Sequence, residues 1–325
     1  MVNKPTTACV TTTDVDQLAQ NVQPWDVKFT QLALGKFHGL CEVVELDGLI
    51  IYRERWTHRV LATGAPPPGY VMLGYAENVS WCGKLLEPEC LAFATAGSEL
   101  GFTTPDHSDH AIVLIPERNF NRSLGNTAVG TLVAGTRFRQ QFTNWVRRCV
   151  AHPQLLSNPH NARAFESRLL QLFEQRPDPT STFGDRPGGS VNWKTVLDAL
   201  EILDASDHPV FSMSELAAAV CVSQRTLEHA FKCALGVTPI RFDRFRRLMA
   251  AHRQLRDADP DSPLTVADIA GRNGFTEFGR FSVQYREFFS QKPSETLKTH
   301  GTAPNPRLID VFTRRPRWYP AATNF

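Results

Sequence analysis

The sequence predicts an α+β chain: a β-rich N-terminal unit, a helical middle, and an all-α C-terminal unit built from a duplicated two-helix element. Three observations predict it. Short β-rich runs broken by Gly and Pro fill Val27 to Pro116, helical periodicity runs from Phe138 to Leu203, and one pattern near the C-terminus occurs twice. With 325 residues, 42% of them apolar, and a net charge of +2, the chain has material for two cores.

Residues 1–26 begin MVNKPTTACVTTTDVDQ, carry no apolar signal segment, and are expected to be a flexible N-terminus. Residues 27–120 hold the runs FTQLALGKFHGLCEVVEL, GLIIYRER, RVLATG, PPGYVMLGYAE, VSWCGKLL, CLAFATAG and AIVLIP. Strands this short and this regularly spaced predict a small barrel or sandwich. Residues 121–206 read as a helical linker and dimerisation segment. Phe138, Phe142, Trp145 and Cys149 lie at helical spacing, as do Phe165, Leu169 and Leu172, and then Val196, Leu197, Leu200 and Leu203. Arg176 to Ser190 is rich in Pro, Gly, Asp and Ser and reads as an exposed loop, and a second boundary falls near Ala205 to Pro209.

Residues 207–305 contain the repeat, with copies at about 214–235 and 266–289. In each, a short helix of small apolar residues (Leu216, Ala217, Val220; Val266, Ile269, Ala270) leads through a tight turn to a second, amphipathic helix, the pattern of a helix-turn-helix. Leu227 and Phe231 face inward in the first copy, Phe281 and Tyr285 in the second. Ser223 and Thr276 stand at the helix starts as capping residues. Gly274 suits a turn of positive φ, where the first copy has Cys221. Between the copies a helix from Pro239 to about Arg256 is expected. About seventeen residues would span roughly 26 Å. Such a rod can hold two second helices in successive major-groove segments of DNA, about 34 Å apart. From His208 onward 17 Lys and Arg face 11 Asp and Glu, a net of +6 that leaves −4 for the rest of the chain. Ordinary amphipathic helices would explain either copy alone, but not two copies in matched register. The tail, residues 306–325, is basic and aromatic (Arg314, Arg315, Arg317, Trp318, Tyr319).

His208 to His300 resembles the tandem helix-turn-helix domain of AraC/XylS-family transcription regulators. The residues that carry the resemblance are Glu215, Leu216, Ala217, Val222, Ser223, Arg225, Thr226, Leu227, Phe231, Lys232, Gly236, Thr238 and Pro239; then Arg247, Leu248, Ala251 and Leu255; then Val266 to Ala270, Gly274, Phe275, Phe281, Tyr285, Arg286, Phe288, Phe289 and Pro293. Ser290 stands where the family usually has glycine, and Tyr285 where it more often has phenylalanine. The resemblance implies a cupin-like β-barrel for the N-terminal unit. It also implies a cytoplasmic, sequence-specific DNA-binding regulator, an activator that responds to an effector, with double-stranded promoter DNA as partner, a small-molecule effector, RNA polymerase as the partner of an activator, and a homodimeric state. A regulator that senses nothing and uses its N-terminal unit only for dimerisation or protein contacts is the alternative.

The resemblance places base contacts on Gln224, Arg225, Glu228 and His229 of the first copy and on Phe278, Gly279, Arg280, Val283 and Gln284 of the second. Arg225 and Arg280 are the strongest readers, since an arginine can bond guanine N7 and O6 together. Ser223, Lys232, Arg244, Arg272, Thr276, Arg286 and Lys292 are candidates for phosphate contacts. For the effector, the run RERWTHR offers Arg53, Arg55, Trp56 and Arg59 to an anionic or nucleotide-like ligand. An apolar pocket lined by Phe37, Tyr52, Trp56, Tyr70 and Trp81 fits equally. No cofactor and no catalytic residue are expected. A metal-dependent cupin-type enzyme is the contrasting class, and its nearest ligand set, Asp106, His107, Asp109 and His110, lacks the HxH spacing such enzymes use. Seven cysteines, odd in number and without a CxxC pair, predict reduced thiols. No stretch approaches the apolar length of a membrane span.

Overall fold

A computed structural model describes residues 4–21, 25–46, 48–120, 129–174, 190–205, 212–259 and 263–298. Its strands are β1 (Thr6–Thr12), β2 (Asp26–Gln31), β3 (Gly39–Leu46), β4 (Leu49–Trp56), β5 (Val60–Ala65), β6 (Tyr70–Tyr75), β7 (Ser80–Trp81), β8 (Lys84–Leu85), β9 (Cys90–Thr95), β10 (Leu100–Thr103), β11 (Ser108–Pro116) and β12 (Val129–Val133). Its helices are α1 (Val15–Asn21), α2 (Thr136–Ala151), α3 (Pro159–Glu174), α4 (Ser190–Ala205), α5 (Met213–Ala219), α6 (Gln224–Leu235), α7 (Pro239–Asp257), α8 (Val266–Arg272), α9 (Phe278–Phe289) and α10 (Pro293–Lys298).

The strands pair antiparallel in two sheets, ordered β1-β3-β4-β11-β6-β9-β12 and β2-β5-β10-β7-β8. Trp56 of the larger sheet meets Phe29 and Phe102 of the smaller one at ring-centroid distances of 5.3 and 6.2 Å, so the sheets face each other across one apolar core. The expected α+β organisation is present, but the barrel is not closed: among the described residues no strand pairing joins the two sheets. The β2 edge is instead covered by α1 and α7, which removes the need for a strand partner there.

The N-terminus departs from expectation. β1 pairs with β3 from Thr6 opposite Glu45 to Thr12 opposite Gly39, and Val10 and Thr12 turn inward. TTACVTT alternates as a strand does, but its inward positions are short or polar and give little hydrophobic signal. α1 follows and buries Val15 and Leu18. At the other end β12 pairs with β9, carrying the β unit past residue 120.

α2 lies on β4 and β11 with Phe138, Phe142, Val146 and Cys149 buried. Trp145, expected in that stripe, is instead half-buried and stacked on Phe165 of α3. α4 packs on α5 and α6, and its Trp193 lies against Gly83 and Gly101. Any side chain at Gly101 would run into that indole. The loop expected over Arg176 to Ser190 and the tail 306–325 fall almost wholly outside the described residues.

The repeat folds as two equivalent units joined by α7. Ser212 and Thr265 close capping boxes with Glu215 and Asp268 at the starts of α5 and α8. Ser223 caps α6, and Thr238 caps α7 with Pro239 at its first turn. Each unit also needs two residues of positive φ, one in its turn and one after its second helix. Glycine fills one of the two in each unit: Gly274 in the second turn (φ 75°) and Gly236 after α6 (φ 70°). Cys221 and Ser290 hold the other two places, each at φ 56°. Left-handed backbone costs a side-chain-bearing residue about 1–2 kcal/mol, partly offset by the greater freedom glycine has when unfolded. Ser290→Gly is therefore expected to stabilise the chain by about 0.5–1 kcal/mol. Urea unfolding checks this, and an unchanged midpoint would mean that the serine makes a compensating contact.

Candidate nucleic-acid interface

The outward face of α6 presents Gln224, Arg225 and His229 as exposed side chains beside a half-buried Glu228. Inward, Leu227, Ala230 and Phe231 are buried, and Phe231 meets Phe242 of α7 edge-on at 5.6 Å. α9 presents Phe278, Gly279, Arg280 and Val283, with Gln284 half-buried, while Phe281, Tyr285 and Phe288 face in. Phe278 and Val283 are 48% and 47% exposed, a large apolar exposure on an otherwise polar helix face. The space around Gly279 is open, so nothing in the fold requires its lack of a side chain.

The candidate phosphate contacts divide. Ser223, Arg272, Thr276, Arg286 and Lys292 are exposed, and Arg244 is half-buried. The Lys232 ammonium sits 3.1 Å from Glu228, four residues earlier on α6. An exposed pair of this kind is worth only a few tenths of a kcal/mol, so it leaves Lys232 open to a competing phosphate. Thr276 is not the cap expected of it. Glu277 holds that position, and its side chain makes no capping bond.

Two features escaped the sequence reading. Asp243 of α7 is buried, accepting hydrogen bonds from Arg246 at 2.9 Å and Arg247 at 2.8 Å. Arg247 also donates to the carbonyl of Gly274 at 3.2 Å and lies over the Phe275 ring, so the connector grips the turn that sets α9. The second feature is a polar chain linking α9 to the N-terminal unit. Tyr285 Oη contacts Thr296 Oγ1 at 2.8 Å and His252 Nδ1 at 2.6 Å. His252 Nε2 lies 3.5 Å from Asp14, which also accepts a hydrogen bond from Arg256. Beside it Arg253 donates to both oxygens of Asp16 at 3.0 and 3.1 Å. Burial alone would raise the Asp14 carboxyl. Its contacts with His252, Arg256 and the Asp16 amide overcome that and hold it down at about 2.

The candidate effector residues are not brought together. Side chains alternate across a strand, so Trp56 and Glu54 enter the core while Arg53 and Arg55 project from the opposite face. Arg53 donates to Asp109 at 3.1 and 3.0 Å, and Arg55 lies 3.7 Å from Glu42. Arg59 reaches towards Gly236 at the end of α6. Phe37, Tyr52, Trp56, Tyr70 and Trp81 are all buried, and of these only Trp81 borders the cavity between the sheets. In the polar stretch that leads into β11, Asp106 accepts a hydrogen bond from the Arg59 amide, while within the strand Asp109 pairs with Arg53 and Arg147 and His110 enters the core. Among the described residues no cluster of His, Cys, Asp or Glu could hold a metal ion. Nor, among them, is any helix long and apolar enough to cross a membrane.

Comparison with known proteins bears on the helical unit. A helix-turn-helix domain model matches residues 216–299. The chain is 38% identical over 151 residues to the "Probable thc operon regulatory protein" of Rhodococcus erythropolis, covering 46% of this chain and 40% of that protein. It is also 38% identical over 165 residues to the "HTH-type transcriptional activator RhaS" of Klebsiella pneumoniae (strain 342), 49% of this chain and 55% of that protein. The chain thus spans about half the length of these relatives. A solved structure described as a probable AraC family transcriptional regulator from Rhodopseudomonas palustris CGA009 is 33% identical, over 32% of this chain and 95% of that one, with a TM-score of 0.30.

Proposed function

Through residues 216–299 this chain belongs to the AraC/XylS family of helix-turn-helix transcription regulators, and from that membership we propose that it binds promoter DNA sequence-specifically and activates transcription in response to a small molecule. One observation carries the reading. α6 and α9 expose their outward faces, each with an arginine, and are held by a single rod, α7, whose 19 residues span about 28 Å. A rod of that length suits placing α6 and α9 in two adjacent segments of one major groove. Arg225 and Arg280 read guanine edges, and Arg272, Arg286 and Lys292 meet phosphates. The β unit, β1 to β12, receives the effector, α2 and α3 serve pairing of two copies, and RNA polymerase is the partner in activation. The compartment is the cytoplasm.

Selection of the purified full chain on random double-stranded DNA tests this. Two short elements about one helical turn apart should be enriched. Arg225→Ala should lose about 1–3 kcal/mol of discrimination at one base position while leaving the melting temperature unchanged, because the side chain is exposed. No enriched site, or the same site with undiminished preference in the variant, would overturn the reading or this assignment respectively.

A further inference from the structure

α6 and α9 are each 12 residues long, and with Gln224 set opposite Phe278 their buried positions coincide: Leu227 with Phe281, Phe231 with Tyr285, Ala234 with Phe288. In that register the outward residues differ in kind. Gln224, Arg225 and His229, all exposed and all able to hydrogen-bond, stand opposite Phe278, Gly279 and Val283. Three hydrogen-bonding side chains on one helix thus correspond, on its twin, to two apolar side chains and a bare backbone.

The fold does not ask for these residues. Phe278 and Val283 are about half exposed on one helix, whereas the other exposed large apolar side chains among the described residues, Leu34, Leu85, Val133 and Ile240, stand on four different segments. A Cβ at Gly279 would meet nothing within 4 Å, so alanine, the better helix former, would fit there. Exposed cations accompany the patch: Arg280 and Arg286 on the same helix, Arg272 before it and Lys292 after it. A purely apolar partner would leave those cations unused. The combination matches a surface that is anionic at its rims and apolar at a few points within, and the major groove of DNA is one. Phosphates line its edges, and the C5-methyl of thymine is the apolar group that a base pair presents there.

We infer that α9 reads its DNA element through thymine methyls, with Phe278 and Val283 against the C5-methyl groups and Gly279 letting the base edges come close to the helix backbone, while α6 reads its own element by hydrogen bonds. The inference rests on the DNA-binding reading above and names the sequence class of one half of the site: thymines, with Arg280 beside them for a neighbouring guanine.

The test uses the full chain and the site it selects from random double-stranded DNA, with deoxyuridine placed at each thymidine in turn. Deoxyuridine removes the methyl and leaves every hydrogen-bonding group of the base in place. At one or more positions binding should weaken about fourfold, the scale of one methyl group returned to water. 5-Methyl-deoxycytidine keeps the methyl but exchanges the carbonyl acceptor for an amino donor, and at those same positions it should bind better than deoxycytidine, again about fourfold. Phe278→Ala or Val283→Ala should abolish the uracil penalty, whereas Arg225→Ala, on α6, should leave it whole. Both apolar side chains are exposed, so neither variant should lower the melting temperature. The inference is overturned by a selected site without such thymines, by uracil tolerated at every position, or by a uracil penalty that survives both apolar variants; this face of α9 would then be free for a protein partner. Any of these, with a site still selected, defeats this inference alone, whereas selection of no site at all defeats the DNA-binding reading and this one with it.

Discussion

Phe231→Ala is expected to destabilise the chain by about 3–5 kcal/mol, the range for truncating a large aromatic side chain in a packed core. Phe231 is fully buried, sits edge-on to Phe242, and anchors a helix clamped between α4 on one side and α7 on the other. Relaxation can recover little, because α4 is itself fixed by Trp193 on Gly83 and Gly101. The consequence reaches function. Arg225 lies six residues earlier on the same helix, so under the proposed DNA contact an α6 loosened at its inward face would no longer hold that guanidinium at a defined place in a groove. Urea unfolding should show the loss in midpoint, and site-specific DNA binding should fall with it. Arg225→Ala, by contrast, should weaken recognition without moving the midpoint. A Phe231→Ala chain unfolding within about 1 kcal/mol of the parent would mean that the first unit repacks around the gap.

Local signals were legible in the sequence, and contacts between distant segments of the chain were not. The inward residues Leu227, Phe231, Phe281 and Tyr285 stand where helical spacing puts them, and α7 starts at Pro239 as its fixed φ predicts. Strand periodicity was available in RERWTHR as well. Alternation along β4 separates Arg53 and Arg55 from Trp56, so a cluster that looks compact in the text is split between two faces of a sheet. His110 misled for a related reason. It closes a polar run that reads as a loop, yet it is also the third residue of β11, with its side chain on the buried face. β1 hid because its inward positions include Ala8 and Thr12, and the Asp243–Arg247 clamp because a charged pair on a helix is usually solvated. The chain from Asp14 through His252 to Tyr285 joins residues more than two hundred positions apart, and nothing in local spacing encodes such a meeting.

Asp14 makes that meeting measurable. Its carboxyl is held at about 2 in the folded chain against an ordinary value of 3.8. A depressed carboxyl stabilises the fold at pH values above its unfolded value, and the contribution is lost as pH falls towards the folded one. The window therefore runs from about pH 4 down to about pH 2, and a shift of this size is worth about 2 kcal/mol. Asp14→Ala should cost more at neutral pH, about 3 kcal/mol. That is the low end for breaking a buried ion pair, since Arg256 keeps Asp257 at 2.8 Å when Asp14 is gone. Asp14→Asn keeps the shape but not the charge, so its deficit against the parent should be about 2 kcal/mol at pH 7 and shrink steadily as the pH is lowered through 4. Parallel urea titrations of parent and Asn variant across that range decide the matter. A deficit that does not change with pH would show that Asp14 contributes through packing and hydrogen bonding rather than charge, and that the β unit is not tied electrostatically to the helices bearing α9.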